Sequence, residues 1–164
     1  GKFHLAKKST NIDSLIISVL EELKNEAQQK GLQLKYQKSC QKKDLFSLID
    51  AAKVREVILN LIDNALKYTK EGTVLINLTC QKKNLKFSVQ DKGIGIVAED
   101  LSLLFKKFVR GKGAANIYTG GSGLGLFVAQ KIIEDHQGRI WAESKGENKG
   151  STFSFSLPIY KKVK

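Results

Sequence analysis

The chain has 164 residues, 41% hydrophobic and 27% charged, a balance that suits a single folded domain and excludes disordered or collagen-like chains. No apolar run approaches the ~20 residues of a membrane helix, and the opening GKFHLAKKST has no signal-peptide core. The net charge of +12 favours polyanions in general. Its lysines are scattered (Lys42-Lys43, Lys82-Lys83, Lys106-Lys107, Lys161-Lys162), however, which describes a solvated surface better than a nucleic-acid footprint. Cys40 and Cys80 lie far apart without metal-ligand spacing, so we expect two reduced thiols and a cytosolic compartment. The absence of Met, with Gly at position 1, points to a fragment of a longer chain.

Asn11 reads as the N-cap of a helix with the apolar stripe Ile12, Leu15, Ile16, Val19, Leu20, Leu23 and Ala27, closed by Gly31. Leu32 to Lys38 alternates as a strand. A short apolar piece, Leu45 to Ile49, precedes a second helix from about Ala51 to Tyr68. Strands Thr73–Cys80 and Leu85–Asp91 follow, joined at a Lys83-Asn84 turn. A short helical piece spans Glu99–Phe105, then a basic irregular stretch, then a helix from Ser122 to His136 closed by Gly138. Arg139–Ser144 and Ser151–Leu157 are the last strands, and Pro158 ends the second. This order predicts a two-layer α/β sandwich, a mixed and mostly antiparallel sheet with helices on one face.

Three segments carry chemistry. In the second helix, Asn60, Asn64 and Lys67 share one edge at i, i+4 and i+7. Asn is a mediocre helix former; such a pair either bonds solvent and a neighbouring loop, or offers neutral oxygens to Mg²⁺ beside an ammonium for phosphate. In LKFSVQD, period two places Asp91 on the apolar face with Leu85, Phe87 and Val89. A carboxylate there needs donors: it either caps the turn that follows, or accepts from an adenine amine, with Gly93 and Gly95 allowing close approach. GGSGLGL opens a helix whose free amides suit phosphate. No strand precedes those glycines, which excludes the dinucleotide fingerprint, and the Walker A pattern is absent.

Taken in order, these segments resemble the ATP-binding domain of sensor histidine kinases, relatives of gyrase, the heat-shock ATPase chaperones and the mismatch-repair ATPases. NLIDNALKYT resembles the N box, DKGIGI the first glycine box and LFKKFVRG the F box. GGSGLGLFVAQKIIEDHQGRI resembles the second glycine box and KGSTFSFSLP the final strand, so the likeness covers nearly the whole chain. It implies the left-handed Bergerat ATP-binding fold, with residues 1–10 a linker and 11–160 the catalytic domain. It implies that Asn60 and Asn64 serve Mg²⁺ and the phosphates, Lys67 the phosphates, and that Tyr68 stands by the nucleotide. Asp91 takes the adenine amine, in a pocket shaped by Gly93, Gly95 and Ile96. Gly121, Ser122, Gly123, Leu124 and Gly125 form the phosphate end of a lid, Arg110 reaches the γ-phosphate, and Thr152 reaches adenine through water.

The same likeness implies a protein-histidine kinase using ATP and Mg²⁺, with Lys67, Arg110 and Asn60 as catalytic residues. Its partners would be its own dimerising, histidine-bearing helical hairpin and a response regulator, in a homodimeric parent anchored in the membrane or not; this fragment alone would be a monomer. His4 lacks a helix and acidic neighbours, and His136 suits a helix C-terminus, so neither reads as the phospho-acceptor. Gyrase-like hydrolases carry a Glu one turn before the Mg²⁺ Asn; here Asn60 stands there, and an amide cannot take a proton from water. Lys92, Lys106 and Lys107 depart from the common pattern, the last two at the surface expected to dock the hairpin.

Overall fold

The computed structural model describes residues 4–108 and 123–161. Strand β1 (Lys8–Asn11) leads into helix α1 (Ile12–Gln29), capped by the Asn11 side chain on the Ser14 amide. Ile12, Ile16, Val19, Leu23 and Ala27 of α1 are buried, and the helix stops before Gly31, at φ 68°. Next come β2 (Leu32–Lys38), a 3₁₀ turn at Lys42–Asp44, and β3 (Phe46–Ile49). Helix α2 (Ala51–Tyr68) is capped by Asp50 on the Lys53 amide. Strands β4 (Gly72–Gln81) and β5 (Asn84–Asp91), the single-turn α3 (Ala98–Leu101), α4 (Gly125–Asp135), β6 (Arg139–Glu143) and β7 (Ser151–Pro158) complete the elements among the described residues.

The main sheet has five strands in the order β2-β4-β5-β7-β6, with β2 parallel to β4 and every other pairing antiparallel. This is the expected sandwich. Its inner face sets Val74, Ile76 and Leu78 beside Leu85, Phe87 and Val89, then Phe155 and Leu157, all essentially without solvent exposure. Phe87 and Phe155 stack with centroids 4.9 Å apart. Burying a side chain of that size stabilises by roughly 1.5–3 kcal/mol, so this line of apolar pairs fixes the register that carries Asp91 to the rim.

Four features differ from the sequence reading. Residues 8–11 form β1, antiparallel to β3 in a separate two-stranded sheet, so the last residues of the expected linker are paired. The β4–β5 turn falls on Lys82-Lys83, because Asn84 is already paired to Gln81 and Lys82 takes the positive φ of 49°. The helical piece expected over Glu99–Phe105 is the single turn α3 and stops at Leu101. The cysteines are not free thiols: Cys40 is bonded to Cys80. The parallel ladder explains it, since Ser39 still donates to the Leu78 carbonyl just past the end of β2 and leaves the two Cα atoms 5.2 Å apart. With reduced thiols goes the argument for a cytosolic compartment built on them. Among the described residues no helix is long and apolar enough to cross a membrane.

Candidate nucleotide site

Helix α2 supplies one wall. Its buried stripe (Val54, Val57, Ile58, Leu61, Ala65) fixes its rotation, which leaves Asn60, Asp63, Asn64, Lys67 and Tyr68 half-buried along one edge. Lys67 Nζ pairs with Asp63 at 2.8 Å. Asp63 was not singled out from the sequence, although i, i+4 spacing to a lysine is a legible signal.

The chain leaving β5 supplies the second wall. Asp91 is 6% exposed and faces the helical layer, as period two requires. Its Oδ1 accepts from the Gly93 amide at 2.8 Å and the Ser151 amide at 3.3 Å, and its Oδ2 accepts from the Ser151 hydroxyl at 2.8 Å. Burial pushes its carboxyl above the ordinary carboxylate range, and those donors oppose the shift. The turn cap and the ligand acceptor are therefore compatible, because a carboxylate has about four lone-pair sites and the protein occupies three.

The glycine turn after Asp91 is clasped by the β6–β7 connection. Ile96 N–H donates to Ser144 Oγ at 3.0 Å, Asn148 N–H to the Ile94 carbonyl at 2.7 Å, and Gly150 N–H to the Gly93 carbonyl at 3.2 Å. Gly95 has φ 69°, and a Cβ there would collide with the Gly146 carbonyl oxygen. Only glycine closes this turn. Lys92 is exposed.

At the other end of the wall lies the start of α4. A Cβ on Gly125 would stand 3.0 Å from Asn60 Nδ2, so the glycine lets the helix N-terminus lie directly against that amide. Phe108 N–H donates to the Gly123 carbonyl at 3.0 Å, joining the F-box segment to the glycine segment, and Lys107 Nζ lies 5.0 Å from the Phe127 ring centre. Gly123 and Leu124 lead into α4. Arg110, Gly121 and Ser122 lie outside the described residues.

The structure thus brings Asn60, Asn64, Lys67, Tyr68, Asp91, Gly93, Gly95 and Gly125 into one neighbourhood. It does not bring Thr152 there. Thr152 pairs with Gln90, on the face of the sheet away from the helices, and Ser151 is the residue opposite Asp91. The order of residues in GSTF could not decide between them without the β5–β7 register.

The glycine-lined α/β sandwich with this asparagine edge defines a nucleotide-binding class, and the chain belongs to it: residues 49–161 match the family of histidine kinase-, DNA gyrase B- and HSP90-like ATPases. Among its relatives, the sensor histidine kinase WalK of Bacillus subtilis is 42% identical over 71% of this chain and 19% of its own length. The adaptive-response sensory kinase SasA of Synechococcus elongatus is 40% identical over 68% of this chain and 29% of its own. The chain therefore spans less than a third of either relative. The catalytic domain of histidine kinase ThkA has the same fold, with a TM-score of 0.80 at 27% identity over 93% of this chain and 97% of that one.

Proposed function

We propose that this chain is the ATP-binding catalytic domain of a two-component sensor histidine kinase. It would pass the γ-phosphoryl group of ATP to a histidine on a separate helical dimerisation domain, for relay to a response regulator. The observation that carries the reading is the edge of α2, which runs from Asn60 against Gly125 to Tyr68, whose carbonyl abuts Gly93 beside Asp91. At 1.5 Å per residue that edge is about 12 Å long, suited to a nucleoside triphosphate with adenine at Asp91 and phosphates at Asn60 and the start of α4. Full-length ShkA, alike in fold at a TM-score of 0.84, was solved with AMPPNP, and ThkA was solved with the response regulator TrrA.

A divalent cation fits this donor set. Asn60 and Asn64 offer neutral oxygens beside the Asp63 carboxylate, and Mg²⁺ takes few protein ligands when phosphates and water complete its shell. Bound there with ATP, Mg²⁺ would offset charge on the phosphates. The chain's own residues do the rest. Asp91 accepts from the adenine amine, Lys67 exchanges Asp63 for a phosphate oxygen, and α4 directs its N-terminal amides at the phosphates. Arg110 is assigned to the γ-phosphate. Asn60 cannot act as a base towards water, so the γ-phosphoryl group is kept for the incoming histidine. The domain works on the cytoplasmic side, where ATP is, whether or not the parent is anchored in the membrane.

Calorimetry with AMPPNP and Mg²⁺ tests the binding half. The transfer half is tested by adding the histidine-bearing hairpin in trans and looking for acid-labile phosphate on it. Brisk ATPase activity of the isolated chain, or acid-stable phosphoserine as the main product, would refute the kinase reading.

A further inference from the structure

His136 ends α4, 3% exposed, and both of its ring nitrogens are engaged. Nε2 lies 3.0 Å from the Asp50 backbone N–H, which can only donate, and Nδ1 lies 2.6 Å from the Ile132 carbonyl, which can only accept. The ring must therefore be neutral, with its proton on Nδ1. It is not the cation that a position at a helix C-terminus suggests.

Asp50 is itself the cap of α2, and its two oxygens divide the work. Oδ1 accepts from the Lys53 amide at 3.2 Å and Oδ2 from the Ala6 amide at 3.1 Å. The next residue, Lys7, donates through Nζ to the Asp135 carbonyl at 2.9 Å, at the C-terminal end of α4. Four backbone segments thus meet within two residues' reach: the N-terminal stretch, the start of α2, the end of α4 and, through Asp50, the end of β3.

We infer that Asp50 and His136 are positioning residues that fasten the segment Ala6–Lys7 onto the adjoining ends of α2 and α4. A displacement of that segment would thereby reach the two helices whose other residues line the nucleotide site. The chemistry is specific at each contact. Asp50 is the only residue of the group that can hold a helix cap and a linker amide together. His136 is the only side chain here that can accept from α2 while donating to α4. The charged groups facing the ring are Lys7, Asp50 and Asp135; burial holds the imidazole below its ordinary value, the Ile132 contact opposes this, and the Lys7 ammonium adds to the depression. Loss of the Lys7 contact would therefore ease protonation of His136, and a protonated Nε2 could no longer accept from Asp50.

The nucleotide consequence rests on the ATP reading above; the joint itself does not. The test uses the full 164-residue chain. Asp50→Ser keeps an N-cap, since serine caps as well as aspartate does, but is too short to hold Ala6 as well. Ala6→Pro removes the linker donor alone. Amide exchange across α2 and α4, the ¹⁵N titration of the His136 ring and AMPPNP affinity are measured in each variant and in the pair. We expect each single variant to speed exchange several-fold at the start of α2 and the end of α4 and to weaken AMPPNP several-fold; Ala6→Pro, which keeps the Asp50 carboxylate beside the ring, should also raise the titration midpoint of His136. The double variant should add little to either, because contacting residues couple. Unchanged exchange in both single variants with an unchanged His136 titration in Ala6→Pro, or strictly additive effects on exchange, would overturn the joint. If exchange and titration respond as expected while the unmutated chain fails to bind AMPPNP, the joint stands and the ATP reading falls.

Discussion

Asp91 is held by three protein donors yet is destabilised by burial, and this separates its structural from its binding role. In Asp91→Asn the amide oxygen can still accept from Gly93 and Ser151, so the fold should persist. Losing a charged acceptor should weaken adenine nucleotides by roughly 1.5–3 kcal/mol, about ten- to a hundredfold, as read by calorimetry. The pH dependence has a definite sign. The folded-state pKa is raised above its ordinary 3.8, so the wild type is favoured at low pH and loses stability as pH rises towards that raised value. The variant should therefore melt progressively higher relative to wild type as pH rises from the ordinary 3.8 through the raised value, and the difference should be level above it. Asn60 makes the other residue-scale case. A Glu there would sit one turn before Asn64, and general-base assistance is worth roughly 10²–10⁴-fold; Asn60→Glu should raise phosphate release at least tenfold in a steady-state assay.

At the scale of elements, α1 is tied to β2 by a polar contact that its apolar stripe does not reveal. Asp13 accepts from Tyr36 Oη at 2.6 Å and from Lys38 Nζ at 2.8 Å. Although burial opposes it, these donors hold the Asp13 carboxyl below its ordinary range, so the contact stabilises above that range and is lost as pH falls through the lowered value. Tyr36→Phe should cost about 1–2 kcal/mol, a fall in Tm of a few degrees by scanning calorimetry, and the cost should shrink in acid. The helices and main strands were legible because each carries a clear period: α2 and β2 begin and end where the pattern says. The pair β1–β3 was not, since four residues a side are too few to show alternation. Ser151 was missed and Thr152 preferred for a related reason: which of two adjacent residues faces Asp91 depends on pairing between strands 60 residues apart. The glycines and the asparagine edge, being local, could be read directly.

For the molecule as a whole, the Cys40–Cys80 bond closes a loop of 40 residues that contains β3 and all of α2. On the chain-entropy account such a cross-link stabilises by about 4 kcal/mol. Reduction, or Cys40→Ser with Cys80→Ser, should therefore lower Tm by on the order of 10 °C, measured by thermal melting with and without a thiol. Neither cysteine spacing nor hydropathy could reveal the pairing, because it arises from the parallel register of β2 on β4.

Among the described residues that sheet ends in two unpaired edges, β2 on one side and β6 on the other. Unpaired strand edges are templates for another chain and invite aggregation. Here Lys35 stands exposed at the middle of β2, so two copies approaching through their β2 edges would oppose like charges, on a chain whose net charge is already +12. The basic surface that reads ambiguously as a ligand signal thus acts as colloidal protection. The isolated chain should sediment as a monomer at low salt, and Lys35→Val should promote self-association at concentrations where the parent sequence shows none.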